Sequence, residues 1–95
     1  MKVVWTRPAL RALEAIGDYI AQRNPDAAEW TVERVAARVD QLGENPHLGR
    51  SGRIAGTREL VVSGTPFVVP YRVRDDRVEV LSVFHGARKW PDSFQ

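Results

Sequence analysis

The hydrophobic repeat changes period once, at Gly49, and that change fixes the class of fold. Upstream, Ala9, Leu13, Ile16 and Ile20 recur at spacings of four, three and four, and Ala28, Val32, Val35, Val39 and Leu42 repeat the rhythm. Each set therefore shares one helical face. Downstream, "RELVVSG", "PFVVPYRVR" and "RVEVLSVFH" alternate with a period of two, as strands with one covered face do. A short apolar run, "KVVW", precedes the first helix. The order strand, helix, helix, strand, strand, strand predicts an α+β domain, a helical hairpin packed on one face of a mostly antiparallel sheet.

Local signals set the boundaries. Thr6 is a hydroxyl cap and Pro8 occupies the first turn, so the first helix is expected over residues 8–23. Pro25 disfavours helical geometry at Asn24, and Asp26 with Glu29 three residues on predicts a capping box opening the second helix, which stops at Gly43. Asp75-Asp76 separates the last two strands, and a last helical turn is expected after Arg88. Pro70 lacks a ladder donor, so its strand should carry an irregular or unpaired position there, either a defect near a site or an edge.

At 95 residues and 43% hydrophobic content, residues 1–95 form one domain with a core of its own. With no cysteine there is neither a disulfide framework nor thiolate chemistry. Arg7, Pro8, Arg11, Glu14 and Asp18 interrupt the first twenty residues, which excludes a signal peptide or a membrane span there and makes the cytoplasm the expected compartment. Charge is uneven: residues 1–46 hold six Lys or Arg against seven Asp or Glu, and residues 47–95 hold eight against five. A basic half of this kind suits phosphate or an acidic peptide.

Two histidines, His47 and His85, with no cysteine do not complete a zinc set, and "GRSGRIAG" lacks the lysine-hydroxyl ending and strand-to-helix setting of a phosphate loop. No metal or cofactor is expected. What remains is Arg50, Arg53, Arg58, Arg72, Arg74, His85, Arg88 and Lys89. Such a set can cleave RNA without a metal: a ribose 2′-hydroxyl attacks its own phosphate, His85 serves as base or acid, and Arg88 stabilises the charge on phosphorus. The bland alternative is a hydrogen-bonded histidine at a strand end, the commoner role for a lone one. Tyr71 shares parity with Phe67, Val69 and Val73 and belongs to the core face, whereas Arg72 lies with Val68 and Arg74 on the other. Trp90 either stacks on a base or packs the tail against the sheet. Trp30 lies off the Ala28, Val32, Val35 stripe, so it widens the core face, the commoner case, or stands exposed as an anchor for a partner.

The stretch "GTRELVVSGTPFVVPYRVRDDRVEVLSVFHGARKWP" resembles the C-terminal half of the RelE/ParE toxins of bacterial toxin–antitoxin pairs, most clearly in "TRELVVSG", "YRV" and "VFHGARKWP". The resemblance implies either of two activities, ribosome-dependent messenger-RNA cleavage in RelE-like members or poisoning of DNA gyrase in ParE-like ones. RelE-like interferases generally place lysines on the strand matching "RELVV", an arginine on the strand matching "FVVPYRV" and a tyrosine near the C-terminus. Here Glu59, Leu60 and Val61 follow Arg58, Val68 stands at the arginine position and Phe94 at the tyrosine, leaving Arg88 as the match and His85 in a region where some family nucleases carry a histidine. This depleted basic set favours the ParE-like reading, with Arg58, Arg72, Arg88, Lys89 and Trp90 as target contacts. Under the RelE-like alternative His85 and Arg88 are catalytic. Either way the resemblance implies an antitoxin with an acidic segment that folds as it binds across the hairpin and sheet, where Trp30, Arg34, Arg38 and Arg74 are its expected contacts. A nontoxic member that keeps only antitoxin binding is the third reading.

Overall fold

A computed structural model describes residues 1–94 of the chain. The elements run β1 (Lys2–Trp5), α1 (Arg7–Ala21), α2 (Pro25–Asp40), a 3-10 turn (Gln41–Gly43), β2 (Arg50–Ser51), β3 (Arg58–Val61), β4 (Phe67–Arg74), β5 (Arg77–Val80) and β6 (Phe84–His85). The sheet order is β1-β5-β4-β3-β2, with β6 also on β4. All pairings are antiparallel except β1 with β5, which is parallel from Lys2↔Arg77 to Trp5↔Val80. The α+β expectation holds. No helix is long and apolar enough to cross a membrane.

The helical stripes are buried as their spacing requires. Ala9, Val35, Val39 and Leu42 meet Leu60, Val62, Val69, Tyr71, Val78, Val80 and Val83 from the sheet in one core. Thr6 caps α1, its Oγ1 accepting the Ala9 amide at 3.4 Å. The start of α2 differs from expectation: Asn24 is the cap, accepting the Ala27 amide at 3.1 Å, and Pro25 takes the first helical position. Proline's fixed φ suits that position, and an asparagine directly before it outcompetes an aspartate one residue inside. The Asp75-Asp76 turn has positive φ at both residues (53° and 60°), the conformation a two-residue hairpin needs.

Three further differences concern the strands. β2 was not visible in the hydrophobic pattern, because both its residues are exposed. The helical turn after Arg88 is absent; the described tail runs extended, with no helix. And "RVEVLSVFH" is two strands, β5 and β6, because the register advances four residues along β4, from Phe67 to Tyr71, but five along its partner, from Val80 to His85. The extra residue makes a bulge at Leu81–Val83, opposite Pro70.

Pro70 is thus a defect inside the sheet and not an edge. Its carbonyl accepts the Leu81 amide at 2.9 Å, and the amide it lacks would have faced the same strand. The Thr6 hydroxyl donates into this break, to the Val80 carbonyl at 2.7 Å and toward that of Leu81 at 3.4 Å. One threonine therefore both caps α1 and binds the helix to the interrupted strand.

Tyr71 lies on the core face, as its parity requires, fully buried. Its hydroxyl donates to the Pro46 carbonyl and accepts the Gly49 amide, both at 2.8 Å, and so anchors the loop that leads to β2. Burial pushes the phenol up from its ordinary value, against the opposing effect of the Gly49 amide.

Candidate functional site

The expected basic cluster forms on the face of the sheet away from the helices, but its arginines are already engaged. Glu59, buried on β3, accepts from Arg50 Nη2 at 3.2 Å and from Arg53 through its amide (2.7 Å), Nε (3.1 Å) and Nη2 (3.3 Å). Glu79 on β5 binds Arg72 at 2.8 Å, Arg74 at 3.3 Å and Arg77 at 3.1 Å. Arg58 donates to the Gly49 carbonyl at 2.8 Å. Arg50, Arg53, Arg72 and Arg74 therefore hold two carboxylates of the same chain and do not converge on an empty phosphate-sized space.

The two carboxylates titrate low for related reasons. Burial pushes Glu59 up, but the hydrogen bonds of Arg53 and Arg50 outweigh it and hold the group below its ordinary value of 4.5. For Glu79 the Arg72 hydrogen bond dominates over desolvation, with Arg77 and Arg74 adding to it. A depressed native value means that the unfolded chain takes up protons first, so stability is fully present above pH 4.5 and falls as pH drops through the native values. Urea midpoints measured from pH 7 down to pH 3 are expected to fall in that acid window; a flat profile there would contradict the ion pairing.

At the other end of β4, His85 stands exposed on β6. Its Nδ1 accepts the Ala87 amide at 3.2 Å and its ring meets Phe67 edge-on at 6.0 Å between centroids, so it stabilises the turn that ends the strand. Arg88 lines the same apolar groove as His85, between α1 and β6, with Ile16, Tyr19 and Ile20 on the helical wall. Tyr19 is 76% exposed there. Arg88 and Lys89 are exposed and make no ion pair among the described residues. Trp90, in contrast, is only 8% exposed: Arg53 lies 3.6 Å above its ring and Phe84 4.8 Å from it, so the indole packs the tail against the sheet. A target would meet Arg53 before Trp90.

The expected antitoxin contacts separate into two places. Trp30, Arg34 and Arg38 form one row along α2, whereas Arg74 is on the opposite face with Glu79. Trp30 is 51% exposed, the less common of its two readings. Arg34 Nε donates to the Ser63 carbonyl at 3.1 Å and Arg38 Nε to that of Val61 at 3.2 Å. Both acceptors lie on the open side of β3, which sequence reasoning missed. Parity groups residues 59, 61 and 63 on one side of a strand, but only the short reach of β2 reveals that the side is free. Arg77, the third partner of Glu79, was missed as well. Among the described residues no group of three His, Cys, Asp or Glu is placed to hold a metal ion.

Comparison with known proteins gives this geometry a family. The family described as the ParE toxin of the type II toxin–antitoxin system parDE matches residues 3–90. The chain is 48% identical over 90 residues to the putative toxin Y4kP of Sinorhizobium fredii, covering 95% of this chain and 93% of that one. It is 44% identical over 87 residues to toxin RelE2 of Caulobacter vibrioides, covering 92% and 97%. Among solved structures, the chromosomal ParDE toxin–antitoxin system of P. aeruginosa superposes with a TM-score of 0.82 at 30% identity, covering 90% of this chain and 95% of that one. The RelBE2 complex of Mycobacterium tuberculosis shares the fold, with a TM-score of 0.57 at 24% identity over 88% and 95%. The chain belongs to the ParE toxin family, within the RelE/ParE superfamily of type II toxin–antitoxin systems.

Proposed function

We propose that this chain is a ParE-like inhibitor of DNA gyrase, neutralised by a cognate antitoxin that folds on its surface. The observation that carries this reading is the state of the basic set. Four arginines that phosphate chemistry would use are bound to Glu59 and Glu79, and His85 spends Nδ1 on the Ala87 amide. A poison needs no acid or base of its own; it needs an exposed contact surface that binds the enzyme or its cleaved DNA complex and blocks resealing. Arg88 and Lys89 supply free cations for that surface, and Trp90 supports them from beneath. Arg58 and Arg72 flank the neighbouring face, less available because each already donates to an acceptor within the chain. The family match and the ParDE superposition support the same reading, and the two toxin–antitoxin complexes among the structural neighbours support an antitoxin as partner.

The RelE-like alternative, a metal-independent, ribosome-dependent messenger-RNA endonuclease, keeps one favouring observation: His85 and Arg88 line one groove, and the similar Caulobacter proteins are called RelE toxins. A nontoxic antitoxin-binding chain is the outcome if expression without antitoxin leaves growth unaffected. Supercoiling and cleavage-complex assays with purified gyrase, run beside translation-coupled messenger-RNA cleavage, separate these readings. The expected result is gyrase inhibition with intact RNA. His85→Ala is expected to retain inhibition, whereas Arg88→Ala with Lys89→Ala weakens it about tenfold or more, as losing paired rim charges does. RNA cleavage that His85→Ala abolishes would replace this reading with the endonuclease.

A further inference from the structure

We propose that the open edge of β3 at Val61 and Ser63 is a strand-addition site for an extended acidic segment, guarded in the free protein by Arg34 and Arg38. Assigning that segment to the antitoxin rests on the partner reading above; the site itself rests on geometry.

The edge is open because β2 is too short to cover it. β2 pairs with Arg58 and Glu59 and goes no further. Along β3 and the residue pair beyond it, the Val62 amide donates to the Phe67 carbonyl, so the even-numbered residues turn their backbone groups toward β4. The odd-numbered ones, 61 and 63, turn theirs outward. Their amides have no acceptor among the described residues. Their carbonyls are taken by side chains of α2 and not by a strand.

The spacing is matched to this purpose. Residues four apart on a helix are separated by about 6 Å along its axis, and residues two apart on a strand by about 6.6 Å. Arg34 on Ser63 and Arg38 on Val61 therefore sit in register, with α2 antiparallel to β3. Trp30 continues the row one turn earlier, standing over the turn at Gly64, where a Cβ would lie 3.4 Å from its ring.

An incoming strand meets complementary groups at each position. Its amides take the carbonyls of Val61 and Ser63, its carbonyls take the two unpartnered amides, and the displaced guanidiniums turn to its carboxylates. Arginine gains in that exchange, since a bond to an ionised carboxylate is shorter and stronger than one to a neutral carbonyl. Exposed Trp30 and Val61 give apolar contact to the residues between the acidic ones. A second copy of this chain is the wrong occupant: edge-to-edge pairing would gather four guanidiniums, which is how cationic side chains deter self-association.

The test uses the purified protein and a short synthetic peptide of alternating glutamate and valine. Affinity is read by calorimetry and the site by backbone amide shifts. A twin peptide carries N-methyl groups on the amides that would face β3. Binding with shifts at residues 59–64 is expected, weakened about tenfold or more in the methylated twin, where two or more ladder bonds are lost. Arg34→Gln with Arg38→Gln is expected to weaken the parent peptide by about tenfold and to flatten its salt dependence. Val61→Pro, which removes an amide that the fold does not use, is expected to abolish binding with the thermal midpoint unchanged. Equal affinity of the two peptides, shifts confined to the groove between α1 and β6, or no binding of the parent peptide would each overturn the proposal. Neither gyrase nor growth enters this measurement, so its failure leaves the toxin reading intact, and a nontoxic chain that binds the peptide leaves the edge site intact.

Discussion

Tyr71→Ala is expected to remove about 3–5 kcal/mol of stability, the usual cost of truncating a large core aromatic. A domain of this size has about 5–15 kcal/mol in all, so the variant should be largely unfolded in mild urea. Tyr71 is the largest fully buried side chain, and its hydroxyl is also the sole link between the core and the Pro46 and Gly49 backbone. Tyr71→Phe isolates that second role: it keeps the ring, leaves a buried carbonyl and amide unpaired, and is expected to cost about 1–3 kcal/mol. Gly49→Ala attacks the same contact from the other side, because its Cβ would lie 2.6 Å from the Tyr71 ring and 2.8 Å from the Glu59 carbonyl. Overpacking of this kind costs about 1–3 kcal/mol. Urea unfolding of the three variants decides the matter; Tyr71→Phe at wild-type stability would mean that water replaces both hydrogen bonds.

Glu59→Leu is expected to cost about 1–2 kcal/mol, less than its four donors suggest, because Arg50 and Arg53 are half exposed and regain water when released. The larger effect is local. Arg53 is held over Trp90 by its bonds to Glu59. Without that carboxylate the guanidinium leaves the ring, and Trp90 fluorescence should become markedly more accessible to iodide or acrylamide. Quenching unchanged from wild type would show that the tail is held by Phe84 alone.

The helices were legible in the sequence because their apolar residues keep a helical period and nothing in the sheet opposes it. The one boundary that shifted, at Asn24, turned on a choice between two good caps two residues apart. Pro70 announced a defect, and the bulge at Leu81–Val83 is that defect, but its place on the partner strand depends on which strand lies beside it, which no local pattern states. The arginines were legible as a face and not as a network. Parity put Arg72 and Arg74 together, yet whether they wait for phosphate or already hold Glu79 depends on the register of β4 against β5. Trp30 was ambiguous for a similar reason: its angular offset from the stripe is compatible with burial until the narrow sheet beneath it is seen.

The parallel pairing of β1 with β5 has a consequence for the timing of synthesis. Residues 2–5 find their strand partners only at 77–80, so the first element translated is among the last to be satisfied. A ribosome adding about 5–20 residues per second releases the helical hairpin well before the strand that joins both ends of the sheet. Contacts of such long range form late and slowly. The nascent chain therefore cannot present a finished surface to any target, and a transcript cut short before residue 80 yields fragments without activity.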